Sequence, residues 1–216
     1  MFSLFNSKKV TIHSLSIPDI GWRKAQDQPD IIQWYNPEET MGLSVNYFNL
    51  RPDIPAIKDI HALRQFYRQR IMNAGGGVVE ISKLQIQHWE AIRTIFKFRQ
   101  EPSGIMYLAS ITIPFKTCSF VVKIQAMEVG HTGMREAIVA NKLLSENQGT
   151  DIESIWSAAP NDHSYSQEWV MNVSEGSAYD LEFPNHHLSK ARALLAQIEK
   201  GIVFKKELEK QKPFDR

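Results

Sequence analysis

Between Val78 and Val129 the chain alternates apolar and polar residues almost without a break, and this stretch constrains the fold more than any other. Ile105, Tyr107, Ala109, Ile111 and Ile113 share one parity; Phe120, Val122, Ile124 and Ala126 alternate with Val121, Lys123, Gln125 and Met127. A period of two is that of a half-buried strand. The breaks between runs are short, Glu101-Pro102-Ser103-Gly104 and Pro114–Thr117. Parallel neighbours need a long crossover, so strands this closely spaced run antiparallel. Their apolar face must be covered. The expected class is α+β, an antiparallel meander of about six strands with helices packed on one face.

The flanking segments supply the rest. Ile31–Tyr35 and Leu43–Phe48 bracket Asn36-Pro37-Glu38-Glu39, whose Asn and Pro suit the first two turn positions, so a hairpin is expected there. After Pro52 and Pro55, Ile57, Ile60, Leu63, Phe66 or Tyr67, and Ile71 recur at helical spacing, and Gly75-Gly76-Gly77 ends the helix. Those glycines follow a helix and precede no lysine, which is not the order of a phosphate loop. A second helix is expected over about 133–146, with Met134, Ala137, Ile138 and Leu144 facing the sheet. A third runs over about 187–210 through Leu188, Ala191, Leu194, Leu195, Ile198 and Ile202, its charged end fraying into solvent. Residues 147–185 are polar, with Ser166–Val173 as a further strand. The expected organisation is one domain over 1–216: an N-terminal arm (1–30), a sheet-and-helix core (31–146), and an acidic segment with a C-terminal helix (147–216).

The ingredients of that core resemble the Mog1/PsbP/DcrB-like fold group, which includes cytoplasmic type VI secretion adaptors. Trp34-Tyr35-Asn36-Pro37 leading into Leu43-Ser44-Val45, the helix from Ile57 to Met72, and strands ending in Phe120–Val129 before Met134 carry the resemblance. It covers about 30–146 and is one of pattern and topology. It implies macromolecule binding in preference to catalysis, and it carries no functional residue over.

Nothing in the residues themselves specifies chemistry. One cysteine, Cys118, leaves no disulfide framework or multi-cysteine metal site and fits a reducing, cytoplasmic compartment. The opening Met-Phe-Ser-Leu-Phe-Asn-Ser-Lys-Lys reverses the order of a secretory signal, and no run suits a membrane span. His13, His61, His88, His131 and His163 stand alone; His186-His187 are adjacent and point apart on either regular element, so no metal ligand is assigned. Asp162-His163-Ser164 are consecutive and cannot relay a proton as a triad does. No catalytic residue, metal or cofactor is therefore expected.

Charge is more informative. Arg51–Arg99 holds nine Lys/Arg against four Asp/Glu, whereas Glu146–Glu182 holds eight acids and no Lys or Arg. Either the acidic segment folds back onto the basic one, or it faces a basic partner. In the second case Asp151, Glu153, Trp156, Asp162, Tyr165, Glu168 and Trp169 are the candidate partner-binding residues, acids interspersed with the aromatics that dominate hot spots. Arg93, Lys97, Arg99 and Lys123 share the second parity and would form a stripe on the solvent face of the sheet, with Phe96, Phe98 and Phe120 opposite. A basic stripe without stacking aromatics argues against nucleic acid. The expected function is a non-catalytic cytoplasmic protein-binding module of bacterial immunity or secretion-adaptor type. The alternatives are an enzyme assembled from scattered His, Tyr and acidic residues, and a structural protein that oligomerises through the final helix.

Overall fold

Two antiparallel meanders meet at the centre of one sheet. The computed structural model describes residues 9–157 and 171–215. After a two-residue strand β1 (Leu15–Ser16), the first meander is β2 (Arg23–Asp27), β3 (Ile31–Tyr35) and β4 (Met41–Phe48). Helix α1 (Ile60–Asn73) then carries the chain to the far edge, and β5 (Gly76–Ile86), β6 (Trp89–Arg99), β7 (Ile105–Pro114) and β8 (Ser119–Met127) return step by step until β8 pairs with β4. The order is β2-β3-β4-β8-β7-β6-β5, all antiparallel. The sheet thus has seven strands; β2, in the segment expected as an arm, is the additional one.

Asn36 Oδ1 accepts from the Met41 amide at 2.7 Å and closes the first hairpin. Asp59 caps α1 by accepting from the Ala62 amide at 2.9 Å. Gly75 leaves α1 at φ +72°, and a Cβ on Gly76 would stand 2.5 Å from the Phe98 ring. Only glycine serves both positions.

The two sheet faces are covered differently. On one, Leu43, Val45, Ile95, Tyr107, Ala109, Ile111, Ile113, Phe120, Val122 and Ile124 form a continuous apolar surface. Helix α4 (His187–Gly201) packs on it through Leu188, Ala191, Leu195 and Ile198. On the other, the buried apolar residues of the sheet are Ile81, Ile92 and Phe96 at the β5–β6 side, under Leu63 of α1 with Phe66 and Tyr67. The broad apolar face is therefore closed by the C-terminal helix, while α1 covers the opposite face. Strand β6 explains the difference: both its faces are buried, so its alternation carries no direction. Arg93 and Lys97 point under α4 and Lys123 points to the other face, as do Phe96 and Phe98, while Phe120 lies under α4. The expected basic stripe is not formed.

Helix α2 (Met134–Glu146) is turned about relative to its pattern. It buries Arg135 and Val139, whereas Met134, Ile138 and Leu144 are 55%, 47% and 41% exposed. The short helix α3 (Ile152–Trp156) packs on it. Of the expected strand at Ser166–Val173, residues 166–170 lie outside the described residues; Asn172 makes one bridge to Ser157, and Val173 opens a 3-10 turn.

The C-terminal end does not fray. Strand β9 (Val203–Phe204) pairs with β1, and α5 (Lys206–Glu209) buries Leu208 completely. Phe214 enters the α1 core. No described helix is long and apolar enough to cross a membrane.

Candidate functional site

At the end of the sheet where β6 turns into β7, polar groups converge. Tyr107 of β7 lies on the face covered by α4, Glu128 follows β8, Glu136 stands in the first turn of α2, and His186 is the N-cap of α4. Glu128 is 5% exposed, and each of its oxygens is held: Oε1 against His186 Nε2 at 2.7 Å, Oε2 by the Ile105 amide at 2.9 Å. His186 Nδ1 accepts from the Leu188 amide at 3.2 Å, which assigns the ring proton to Nε2 and makes the imidazole the donor to Glu128.

Glu136 has no such support. Both of its carboxylate oxygens are out of contact with solvent, and among the described residues neither has a hydrogen-bond partner beyond the residue's own backbone. Burial pushes its carboxyl above the ordinary range, and Glu128 and Glu175 push the same way. One ligand-type atom from each of Glu128, Glu136 and His186 lies within 4.8 Å of the others. Tyr107 is fully buried, its hydroxyl unpartnered, its ring edge-on to His186 at 5.8 Å. Burial and the neighbouring carboxylates hold that phenol far above its usual range. A cavity of 440 Å³, lined among others by Arg99, Gln100, Glu101, Ser103, Glu128 and Glu136, opens beside the pair.

A charged floor supports this cluster. Lys97 bonds Glu175 at 2.7 Å, with the two side chains 5% and 0% exposed. Arg135, whose side chain is fully buried, donates to Ser174 O, Ser189 Oγ, Gly176 O and Asp180 Oδ1 at 2.7, 2.8, 3.0 and 3.1 Å. Arg192 adds Asp180 Oδ1 at 3.1 Å and Glu175 O at 2.7 Å.

Of the residues expected to meet a partner, Asp151, Glu153 and Trp156 lie on α3. Asp151 caps that helix and is exposed, Glu153 is exposed, and Trp156 is half-buried. Asp162, Tyr165, Glu168 and Trp169 lie outside the described residues. Three other acids of the segment turn inward or are paired: Glu175 to Lys97, Asp180 to Arg135 and Arg192, Glu182 to Lys142 at 3.1 Å. Only the Glu175 pair joins the acidic segment to the basic one, Arg51–Arg99; Asp180 and Glu182 are paired with cations outside it. The Glu128–Glu136–His186 cluster escapes a search by spacing, because each residue is ordinary where it stands; the one signal was His186 itself, set aside with its neighbour His187.

One consequence concerns Glu136 directly. A carboxyl whose folded-state pKa is raised costs nothing while both folded and unfolded chains are protonated. Its cost grows as pH rises from the ordinary carboxylate value to the raised one, because the folded chain then binds more protons than the unfolded chain. Glu136→Gln is therefore expected to stabilise the protein at neutral pH by on the order of 1 kcal/mol and to leave it unchanged in acid. Urea unfolding across that range checks this; a loss of stability at neutral pH would contradict it.

No model of a protein family matches the chain, and no curated protein does. Among solved structures it is similar to the Ran-binding protein Mog1p of Saccharomyces cerevisiae, at a TM-score of 0.42 and 10% identity over 60% of this chain and 78% of that one. It is similar to PA94 of Pseudomonas aeruginosa, a protein of unknown function, at 0.34 and 14% over 62% and 89%. It also shares 15% identity with a Bacteroides thetaiotaomicron protein, at 0.37 over 56% of this chain and 41% of that one. These likenesses are of fold, over part of each chain, and carry nothing further.

Proposed function

We propose that the chain is a non-catalytic protein-binding module of bacterial secretion-adaptor type, and that the outer face of α2 receives an apolar helix of its client. One observation carries the reading. An amphipathic helix normally turns its apolar stripe inward, yet α2 turns Arg135 inward and exposes Met134, Ile138 and Leu144, with Val129 52% exposed just ahead of it. A stripe of this kind on an anchored helix marks an interaction surface. An immunity protein that works by charge is the less favoured role, because Glu175, Asp180 and Glu182 are paired within the fold.

The test is binding of the purified chain to the products of genes encoded beside its own. Ile138→Glu, an exposed substitution, is expected to weaken binding at least about a hundredfold while leaving the melting temperature unchanged. Affinity should persist as salt is raised, and Asp151→Asn with Glu153→Gln should not alter it. Unchanged binding by Ile138→Glu would refute the reading; loss with salt and with the Asp151/Glu153 substitutions would support the immunity role.

An enzyme is the second reading, favoured by the convergence of Glu128, Glu136, His186 and Tyr107 beside a cavity. It requires a turnover that Glu136→Gln abolishes and Ile138→Glu leaves intact.

A further inference from the structure

We propose that Glu128, Glu136 and His186 form a binding site for a divalent transition-metal ion of the zinc type, reached through the cavity between the β6–β7 turn and α2. Two carboxylates and one imidazole, with ligand atoms mutually within 4.8 Å, are a donor set for such an ion. Magnesium is a poorer fit, since it prefers a full octahedron of oxygens.

Proximity of acids alone would not make a site. The independent observation is a buried shell that lacks a partner. Among the described residues the Tyr107 hydroxyl, on a fully buried residue, has none, and the Glu136 carboxylate has none beyond its own backbone. The carboxylates of Glu175, Glu136 and Glu128 act on the Tyr107 hydroxyl, with Arg135 opposing them. Two nearby cations are committed elsewhere, Lys97 to Glu175 and Arg135 to Asp180 and three further acceptors, while Arg99 lines the cavity itself.

The protons can be followed. In the metal-free chain His186 donates Nε2–H to Glu128 and accepts at Nδ1 from Leu188. On metal binding Nε2 becomes the ligand and its proton moves to Nδ1. The long 3.2 Å bond from Leu188 is given up, and the ion replaces the proton as the partner of Glu128 Oε1. The Ile105 amide on Glu128 Oε2 is unaffected and fixes that carboxylate, as ligating carboxylates generally require.

The experiment is calorimetric titration of zinc chloride into the metal-stripped full chain. A single saturable site is expected. Glu136→Gln and His186→Asn are each expected to weaken it at least about tenfold, while His131→Ala, at an exposed position, leaves it unchanged. Asparagine keeps an N-cap acceptor for α4, and Glu136→Gln changes no volume, so melting curves separate lost ligation from lost fold. Absence of saturable uptake would overturn the proposal, as would uptake that survives both substitutions. The site is independent of the client surface: Ile138→Glu should retain zinc uptake.

Discussion

Arg135→Met is expected to destabilise the protein by about 3–5 kcal/mol, the usual cost of removing one partner from a buried ionic cluster. For a chain of this size that corresponds to a fall in melting temperature of roughly 10 °C. Arg135 is fully buried on α2, and its guanidinium makes four hydrogen bonds that tie the helix to Ser174, Gly176, Asp180 and Ser189. Methionine fills the space but donates nothing. Two backbone carbonyls and a serine hydroxyl then lose their donor, and Asp180 is left with Arg192 and Ser189. The loss should also be local. Amide exchange in residues 134–146 should accelerate well beyond that in β7 and β8, because α2 meets the rest of the fold chiefly through the 3-10 turn at Val173–Glu175 and α3 and has little apolar burial of its own. Arg192→Met is the comparison: its side chain is 14% exposed, and Arg135 still holds Asp180, so a smaller loss is expected. Calorimetry with exchange measurements decides it. A shift no larger than that of a surface substitution would show that α2 is held otherwise.

That clamp bears on what could be read from the residues alone. Strands β7 and β8 were legible because one face of each is packed under α4 and the other is more polar, so parity reports burial. Parity failed on β6, where Ala91 and Ile95 are buried on one side and Ile92 and Phe96 on the other. Helix α2 misled for a different reason. Hydrophobic periodicity tells which residues share a face, but only tertiary context says which way that face points, and a buried arginine with four acceptors outweighed three apolar side chains. The C-terminal end read as solvated because charged residues surround Leu208 and Phe214, yet those two apolar anchors fix the segment. The candidate site was illegible on every criterion of spacing, since β8, α2 and α4 each supply one residue and only the fold brings them together.

Lys97→Met carries the second large effect expected, again about 3–5 kcal/mol. Lys97 was read as a solvent-facing strand residue. It lies instead beneath α4 and the 3-10 turn at Val173–Glu175, 4% exposed, with Nζ 2.7 Å from Glu175 Oε2. Without it Glu175, wholly buried, keeps only the Asn172 amide at 2.9 Å on Oε2, while Oε1 makes no hydrogen bond. A buried carboxylate so exposed to low dielectric would cost more than the pair contributes. The double substitution Lys97→Met with Glu175→Met should therefore recover most of the single loss. The remainder should be about 1 kcal/mol, since Glu175 also completes the cap on Asn172. A double-mutant cycle in urea isolates the coupling. A single-substitution loss below about 1 kcal/mol, the range of exposed ion pairs, would mean that water reaches Glu175. The charged floor beneath Tyr107 and Glu136 would then be solvated, and water would reach the unpartnered buried atoms on which the metal site rests.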